Sequence, residues 1–456
     1  MNWIQSIIYM NHLILICALI SMCGMACHSS SSPDSVPSSI HSSSKIVEVR
    51  QTGDTYQLYR HGEVYPIRGA ATGDQSSYLL SLSQAGGNAI RTYTTDQAGS
   101  ILDSAAMLGI GVMLGLYMIP AEQGMAYEDP SKVQQQLDSL LVIVQTWKHH
   151  PALLMWGLGN EVELHRSEPG IWKAINQLSQ AIHQLDPDHP TVAVVLPNPK
   201  SLQQLTQYCP DVDILGINSF GSMSHIANQI SRQADFWTGP VLFTEWGIPG
   251  PWEVNKTAWQ APIEWNSTQK AHYIHQNGQL IRGLKPQKCL GGFVFFWGTK
   301  MERTHTWFNV FGEGGEKTSM YDQLHYFWKE SWPDNRSPLI DSIFISTPAS
   351  QEEVYLKTGH RYNAVVSARD PEGKGLEYSW EILPESSYRT FIQAGHETRP
   401  RPLSDLLLNK QDSLLDFHAP KQSGAYRLFA YVHDSNGKLA TANLPFYVTM
   451  ASPLQP

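Results

Sequence analysis

Between Tyr65 and Trp328, short apolar runs alternate eight times with longer helical stretches, and this alternation restricts the fold more than anything else in the chain. The runs are Tyr65 to Ala71, Ala89 to Tyr93, Gly111 to Met118, Leu153 to Gly159, Thr191 to Leu196, Ile214 to Asn218, Val241 to Glu245 and Gly292 to Trp297. Helices are expected over Ser76 to Ala85, Ala98 to Leu108, Ser131 to Trp147, Ile171 to Leu185, Lys200 to Tyr208, Ser224 to Phe236, Ser267 to Ile281 and Tyr321 to Trp328. In the third of these, Val133, Leu137, Leu140, Leu141 and Val144 make an i, i+3, i+4 stripe that a barrel would bury. The span of about 260 residues suits a (β/α)8 barrel. An open doubly wound sheet also accommodates eight such units, but the first run leads into Gly69-Ala70-Ala71-Thr72-Gly73-Asp74, which is no dinucleotide-binding turn.

Ahead of the barrel, Thr55 to Arg60 and Glu63 to Pro66 flank His61-Gly62 as a hairpin placed to cap the barrel bottom. Ser331 to Pro338 has the composition of a linker. Beyond it come short alternating runs, Arg361 to Ala368, Leu376 to Ile382, Tyr426 to Val432 and Asn443 to Val448, separated by turn clusters. The fold class is therefore α/β, a TIM barrel over residues 46–334 followed by an all-β, immunoglobulin-like sandwich over 339–450.

The apolar run Leu13 to Ile20 is too short for a membrane-spanning helix and reads as the core of a signal peptide over residues 1–27, with a Ser-rich linker over 28–45. Gly24-Met25-Ala26-Cys27 resembles a bacterial lipobox, which implies lipidation at Cys27 and tethering to the cell envelope; an uncleaved apolar anchor is the alternative. A net charge of −9 without any Lys/Arg cluster argues against nucleic acid as a partner. Cys209 and Cys289 stand far apart with no neighbours at ligand spacing, so buried thiols are expected rather than a zinc site. No metal or cofactor is implied.

Two carboxylates carry the functional reading. The fourth run ends Trp156-Gly157-Leu158-Gly159-Asn160-Glu161 and the seventh ends Thr244-Glu245-Trp246-Gly247, so both Glu161 and Glu245 close a barrel strand at the face where such barrels hold their sites. Cleaving a glycosidic bond takes two carboxyl groups, one protonated to donate to the leaving oxygen and one ionised to attack or to activate water. Glu163 competes for the acid role but, lying two residues past the strand end, is expected to face solvent or bond a loop. The polar and aromatic segment Lys300 to Lys317 follows the eighth run and would overhang the cleft, either binding substrate or simply exposed.

These motifs resemble the catalytic pair of glycoside hydrolase clan A, the retaining barrels that include families 2, 5 and 72. The resemblance implies Glu161 as acid/base, Asn160 bonded to a sugar 2-hydroxyl and Glu245 as nucleophile. It also implies that Arg91 holds the nucleophile ionised and that Trp297 is a platform for the sugar; independently of the resemblance, Trp156, Trp246, Trp252 and Trp297 near the pair are candidates to stack on sugar faces, with core packing as the alternative for each. One position departs. Where the clan has a Tyr or His after the sixth strand, this chain has Phe220, so either Asn218 or Ser219 replaces its hydrogen bond to the nucleophile or the nucleophile is less well oriented. The implied activity is retaining cleavage of a β-linked oligosaccharide or polysaccharide, with a β-glucan as the substrate guess. Transglycosylation at the same site and a catalytically inactive glycan-binding barrel stay open. The turn Asp370-Pro371-Glu372-Gly373 with Tyr378-Ser379-Trp380 resembles the polycystic-kidney-disease-like or cadherin-like modules of secreted hydrolases, which implies a spacer.

Overall fold

The computed structural model describes residues 45–73, 75–232, 237–284, 288–347, 353–386, 397–409 and 412–450. Cys27, the leader, nearly all of the Ser-rich linker, Asp74 and the end of the helix expected up to Phe236 lie outside the described residues. A small antiparallel sheet comes first: β1 (Val47–Thr52), β2 (Thr55–Arg60) and β3 (Glu63–Val64). Its Val47 and Leu58 pack with barrel residues Ile67, Ala89, Leu242 and Phe293, so the expected hairpin is a three-stranded plug.

Eight parallel strands then close into a barrel: β4 (Ile67–Ala71), β5 (Ala89–Arg91), β6 (Gly111–Leu116), β7 (Leu153–Leu158), β8 (Thr191–Val195), β9 (Ile214–Ser219), β10 (Val241–Trp246) and β11 (Cys289–Val294). The last strand begins three residues earlier than its apolar run suggests, because Gly291 is what lets β11 meet β4. It sits at φ +121°, and a Cβ there would lie 2.2 Å from the Ile67 carbonyl oxygen. Around the barrel run α1 (Leu79–Gln84), α2 (Ala98–Met107), α3 (Pro130–Trp147), α4 (Pro169–Leu185), α5 (Pro199–Tyr208), α6 (Met223–Ser231), α7 (Ser267–Leu284) and α8 (Ser319–Lys329). Two of them start as their sequence dictates, with Asp129 and Asn198 accepting from the backbone N–H of Ser131 and Ser201 ahead of a Pro at the first helical position.

The sandwich pairs β12 (Leu339–Ile345), β14 (Arg361–Arg369), β17 (Leu414–His418) and β16 (Leu407–Asn409) in one sheet. The other sheet holds β13 (Tyr355–Lys357), β19 (Leu439–Thr449), β18 (Gly424–Asp434) and β15 (Leu376–Pro384). The sandwich is docked on the barrel. Arg427 of β18 is buried and donates to the Pro262 carbonyl at 2.8 Å while pairing with Glu385. Beside it, Lys270 of α7 pairs with Glu264 at 2.5 Å, and Thr304 and Thr306 donate to the same carboxylate.

Candidate active site

Glu245 reaches the barrel mouth because β10 carries a bulge. Leu242 packs inside the barrel and Val241 and Phe243 pack toward the helices, so strict alternation would turn Glu245 outward. Between Phe243 and Glu245 the register with β9 slips, Phe243 pairing Ile217 and Glu245 pairing Asn218. That extra residue reverses the parity, turning Glu245 in and Trp246 out. At the end of β7 the backbone bends sharply, with Gly159 and Glu161 both left-handed (φ +70° and +48°) and the Glu161 N–H tied to the Val194 carbonyl at 3.0 Å. A non-glycine residue held this way stores roughly 1–3 kcal/mol of strain, the kind of outlier that clusters at functional sites.

Both carboxylates line one cleft of about 670 Å³. One Glu245 oxygen accepts from Arg91 at 2.8 Å and from the Tyr93 hydroxyl at 2.9 Å. Arg91 is itself fixed by the Thr244 carbonyl (3.0 Å), by Asn160 (2.5 Å) and by its place over the Tyr93 ring. Glu161 has no such cation bonded to it. Its carboxyl accepts from the Asn218 amide at 2.7 Å, and Asn218 in turn accepts from Thr244 and donates to Asn160.

The electrostatics divide accordingly. Burial raises Glu161 to about 7, the nearby charge of Glu245 adding to it and the Asn218 hydrogen bond opposing it. Burial also raises Glu245, against the pull of Arg91, Tyr93 and Lys300. Arg91, expected to hold Glu245 ionised, pulls its pKa down but does not outweigh that burial. Tyr93 is held well above its ordinary pKa by burial and by Glu245, so it stays a donor.

Of the residues singled out from sequence, Arg91, Asn160, Glu161, Asn218 and Glu245 come together here. Trp246 and Trp297 do not. Trp246 faces the helix layer against Phe327 at 6.1 Å, as the bulge requires. Trp297 is fully buried, donates to the Tyr78 carbonyl at 3.0 Å and packs among Phe311, Tyr321 and Trp328, so no sugar can lie on it. Trp156 is likewise buried, bonded to Asp186. Asn218 bonds Glu161 rather than Glu245, and Ser219 bonds Ser222, so neither replaces the hydroxyl missing at Phe220. Tyr93 supplies that bond from the other side of the barrel. Its signal in the sequence was its position two residues after Arg91, which puts both side chains on one face of an extended segment.

Phe220 instead joins Phe295, Phe308 and Trp252 in an aromatic wall, with ring centroids 5.5 to 6.1 Å from its own. Trp252 is 58% exposed and lines the cleft. Glu163 does not face solvent. It is buried, accepts from the Leu196 N–H at 3.1 Å and is pushed up to about 7 by that burial. Cys209 and Cys289 are both buried, and burial raises the Cys209 thiol to about 12.

Residues 88–255 match the family model of the glycosyl hydrolases family 2, TIM barrel domain. The matched stretch contains Arg91, Tyr93, Glu161 and Glu245. Among curated proteins, a β-glucuronidase of Chlorocebus aethiops is 25% identical over 178 residues, which is 36% of this chain and 26% of that protein. Among solved structures, a Bacteroides uniformis β-glucuronidase overlays 89% of this chain and 48% of its own with a TM-score of 0.47 at 14% identity. A Faecalibacterium prausnitzii β-glucuronidase covers 62% and 52% with a TM-score of 0.47 at 18% identity. The chain thus spans about half the length of these structures and about a quarter of the curated relative.

Proposed function

We propose that the protein is a retaining β-glycosidase acting on a neutral β-linked glycan, with Glu245 as nucleophile and Glu161 as acid/base. The observation that carries this is the unlike partnering of two buried carboxylates in one cleft. Arg91 and Tyr93 both bind one oxygen of Glu245, which favours the ionised form and leaves Oε2 to attack the anomeric carbon. Glu161, with a neutral amide on one oxygen and a pKa near 7, keeps a proton for the leaving group and takes one from water in the second step. Asn160 has both its Oδ1 contacts used by Arg91 and Asn218, so its Nδ2 is the end available to a sugar hydroxyl.

A neutral substrate follows from charge. The cleft cation Lys300 is paired with Glu302 at 2.6 Å, and Arg91 is committed to Glu245, so among the described residues no uncompensated cation is offered to a uronic acid. The glucuronide substrates named by the relatives are therefore not carried over. The exposed Trp252 and its aromatic backing suit stacking on a glucan. Tyr93 supports catalysis over an inactive glycan binder, since it makes the hydrogen bond to Glu245 that Phe220 cannot.

The test is a panel of aryl β-glycosides with the first-formed anomer read by NMR. Turnover of a neutral glycoside with a β product is expected. An α product, or activity confined to the glucuronide, would refute the proposal. Because Glu161 of the free site acts protonated and is raised to about 7, kcat/KM should fall as pH rises through that region; a kcat/KM plateau extending to pH 9 would remove Glu161 from the acid role. Tyr93→Phe deletes a hydrogen bond to a charged group, worth about 1.5–3 kcal/mol, so a loss of roughly 10- to 100-fold in kcat/KM is expected with the fold intact.

A further inference from the structure

After β11 the chain meets the cleft at Lys300 and Glu302 and then turns into the sandwich. Lys300 Nζ stands 4.8 Å from the centroid of the Phe295 ring and pairs with Glu302, and both residues line the cleft. The next residue, Arg303, has φ +61°, in the left-handed region that residues with a long side chain seldom occupy. Both of its backbone groups are held by side chains from the C-terminal domain. Its N–H donates to the carboxylate of Glu397, and its carbonyl accepts from the Ser386 hydroxyl at 2.6 Å.

A third attachment lies two residues on. Tyr431 of β18 donates to Glu381 at 2.8 Å, so its oxygen accepts from His305 Nε2–H at 2.7 Å. Burial drives the His305 imidazole down to about 3, so it is neutral, and because the Tyr431 hydrogen goes to Glu381 the imidazole hydrogen sits on Nε2. Residues 300–306 are thus shaped by the sandwich as much as by the barrel that carries them.

We propose that Ser386 and Glu397 are positioning residues for glycan binding: by clamping the turn at Arg303, the sandwich sets Lys300 and Glu302 as the donor and acceptor that meet vicinal hydroxyls of a neutral oligosaccharide. This rests on the glycosidase reading above. An ammonium with three donors beside a carboxylate matches two adjacent sugar hydroxyls, and the pair contacts sugar only if the turn after it holds its shape. A small aryl glycoside, occupying only the neighbourhood of Glu161 and Glu245, has less need of it.

The experiment uses the full chain with Ser386→Ala and Glu397→Ala combined, and a β-1,3-linked glucohexaose as probe. The KM for the hexaose should rise about tenfold, as loss of two positioning bonds allows, while kcat on an aryl β-monoglycoside stays within about twofold. Glu397→Gln keeps an oxygen that accepts from the Arg303 N–H and should retain the original KM. Ser386→Ala alone, the gentlest change, should show a smaller rise in the same direction. An unchanged KM in the double variant, or an equal loss in Glu397→Gln, overturns the proposal. If the parent chain turns over no β-glycoside, the catalytic reading fails by itself. The clamp is then tested by titrating the hexaose against Trp fluorescence, where equal affinity of parent and double variant, or no binding by either, overturns it.

Discussion

Glu245→Gly is expected to abolish turnover of aryl β-glycosides, by on the order of 10⁴-fold or more, and azide or formate is expected to restore part of it. The first half follows from the loss of the attacking oxygen. The second follows from what stays behind: Arg91 and Tyr93 lose the acceptor they shared, and the emptied space beside them is polar and sized for a small anion. Rescue should yield a glycosyl azide of α configuration, since the external anion attacks from the face the carboxylate occupied and nothing displaces it afterwards. Loss of activity without rescue, or a β-configured azide, would remove Glu245 from the nucleophilic role.

The second large effect concerns stability. Lys270→Met removes the cation from a buried pair whose two side chains are almost wholly inaccessible, and breaking such a pair costs about 3–5 kcal/mol. Burial tends to raise Glu264, yet Lys270 and Arg427 overcome it and hold the carboxyl below its usual pKa. In the parent this contributes stability that is present above the unfolded pKa and lost as pH falls through the lowered folded one. Without Lys270 the folded pKa moves upward, so the deficit should grow as pH rises from 5 to 8. Adding Glu264→Gln should recover most of it. Urea midpoints across that range decide the matter: a deficit under about 1 kcal/mol, or one that does not change with pH, would mean the pair contributes little.

The barrel was legible because its strands are buried on both faces and read as unbroken apolar runs; Leu153–Leu158 is buried at every position. The carboxylates were legible because each ends such a run. Trp246 was misread since the bulge in β10 is a register slip between strands, invisible in one strand's own pattern. Trp297 was misread for a related reason, since β11 ends at Val294 and the residues after it do not follow the strand's alternation. The docking of the sandwich left two marks in the sequence, Arg427 within the apolar run of β18 and Lys270 on the buried face of α7, but what they pair with is set by contacts across long stretches of chain.

Arg91 and Tyr93 stand two residues apart at the end of one strand and serve the same oxygen of Glu245. Preparation of that carboxylate is thereby concentrated on a single side of the barrel. The sixth strand's end is released from it, and Phe220 there belongs to the surface that a ligand would meet. On the glycosidase reading proposed above, substitutions at Phe220, Trp252 or Phe295 are expected to change which ligand the cleft accepts while the hydrogen bonds of Arg91 and Tyr93 to Glu245 remain untouched.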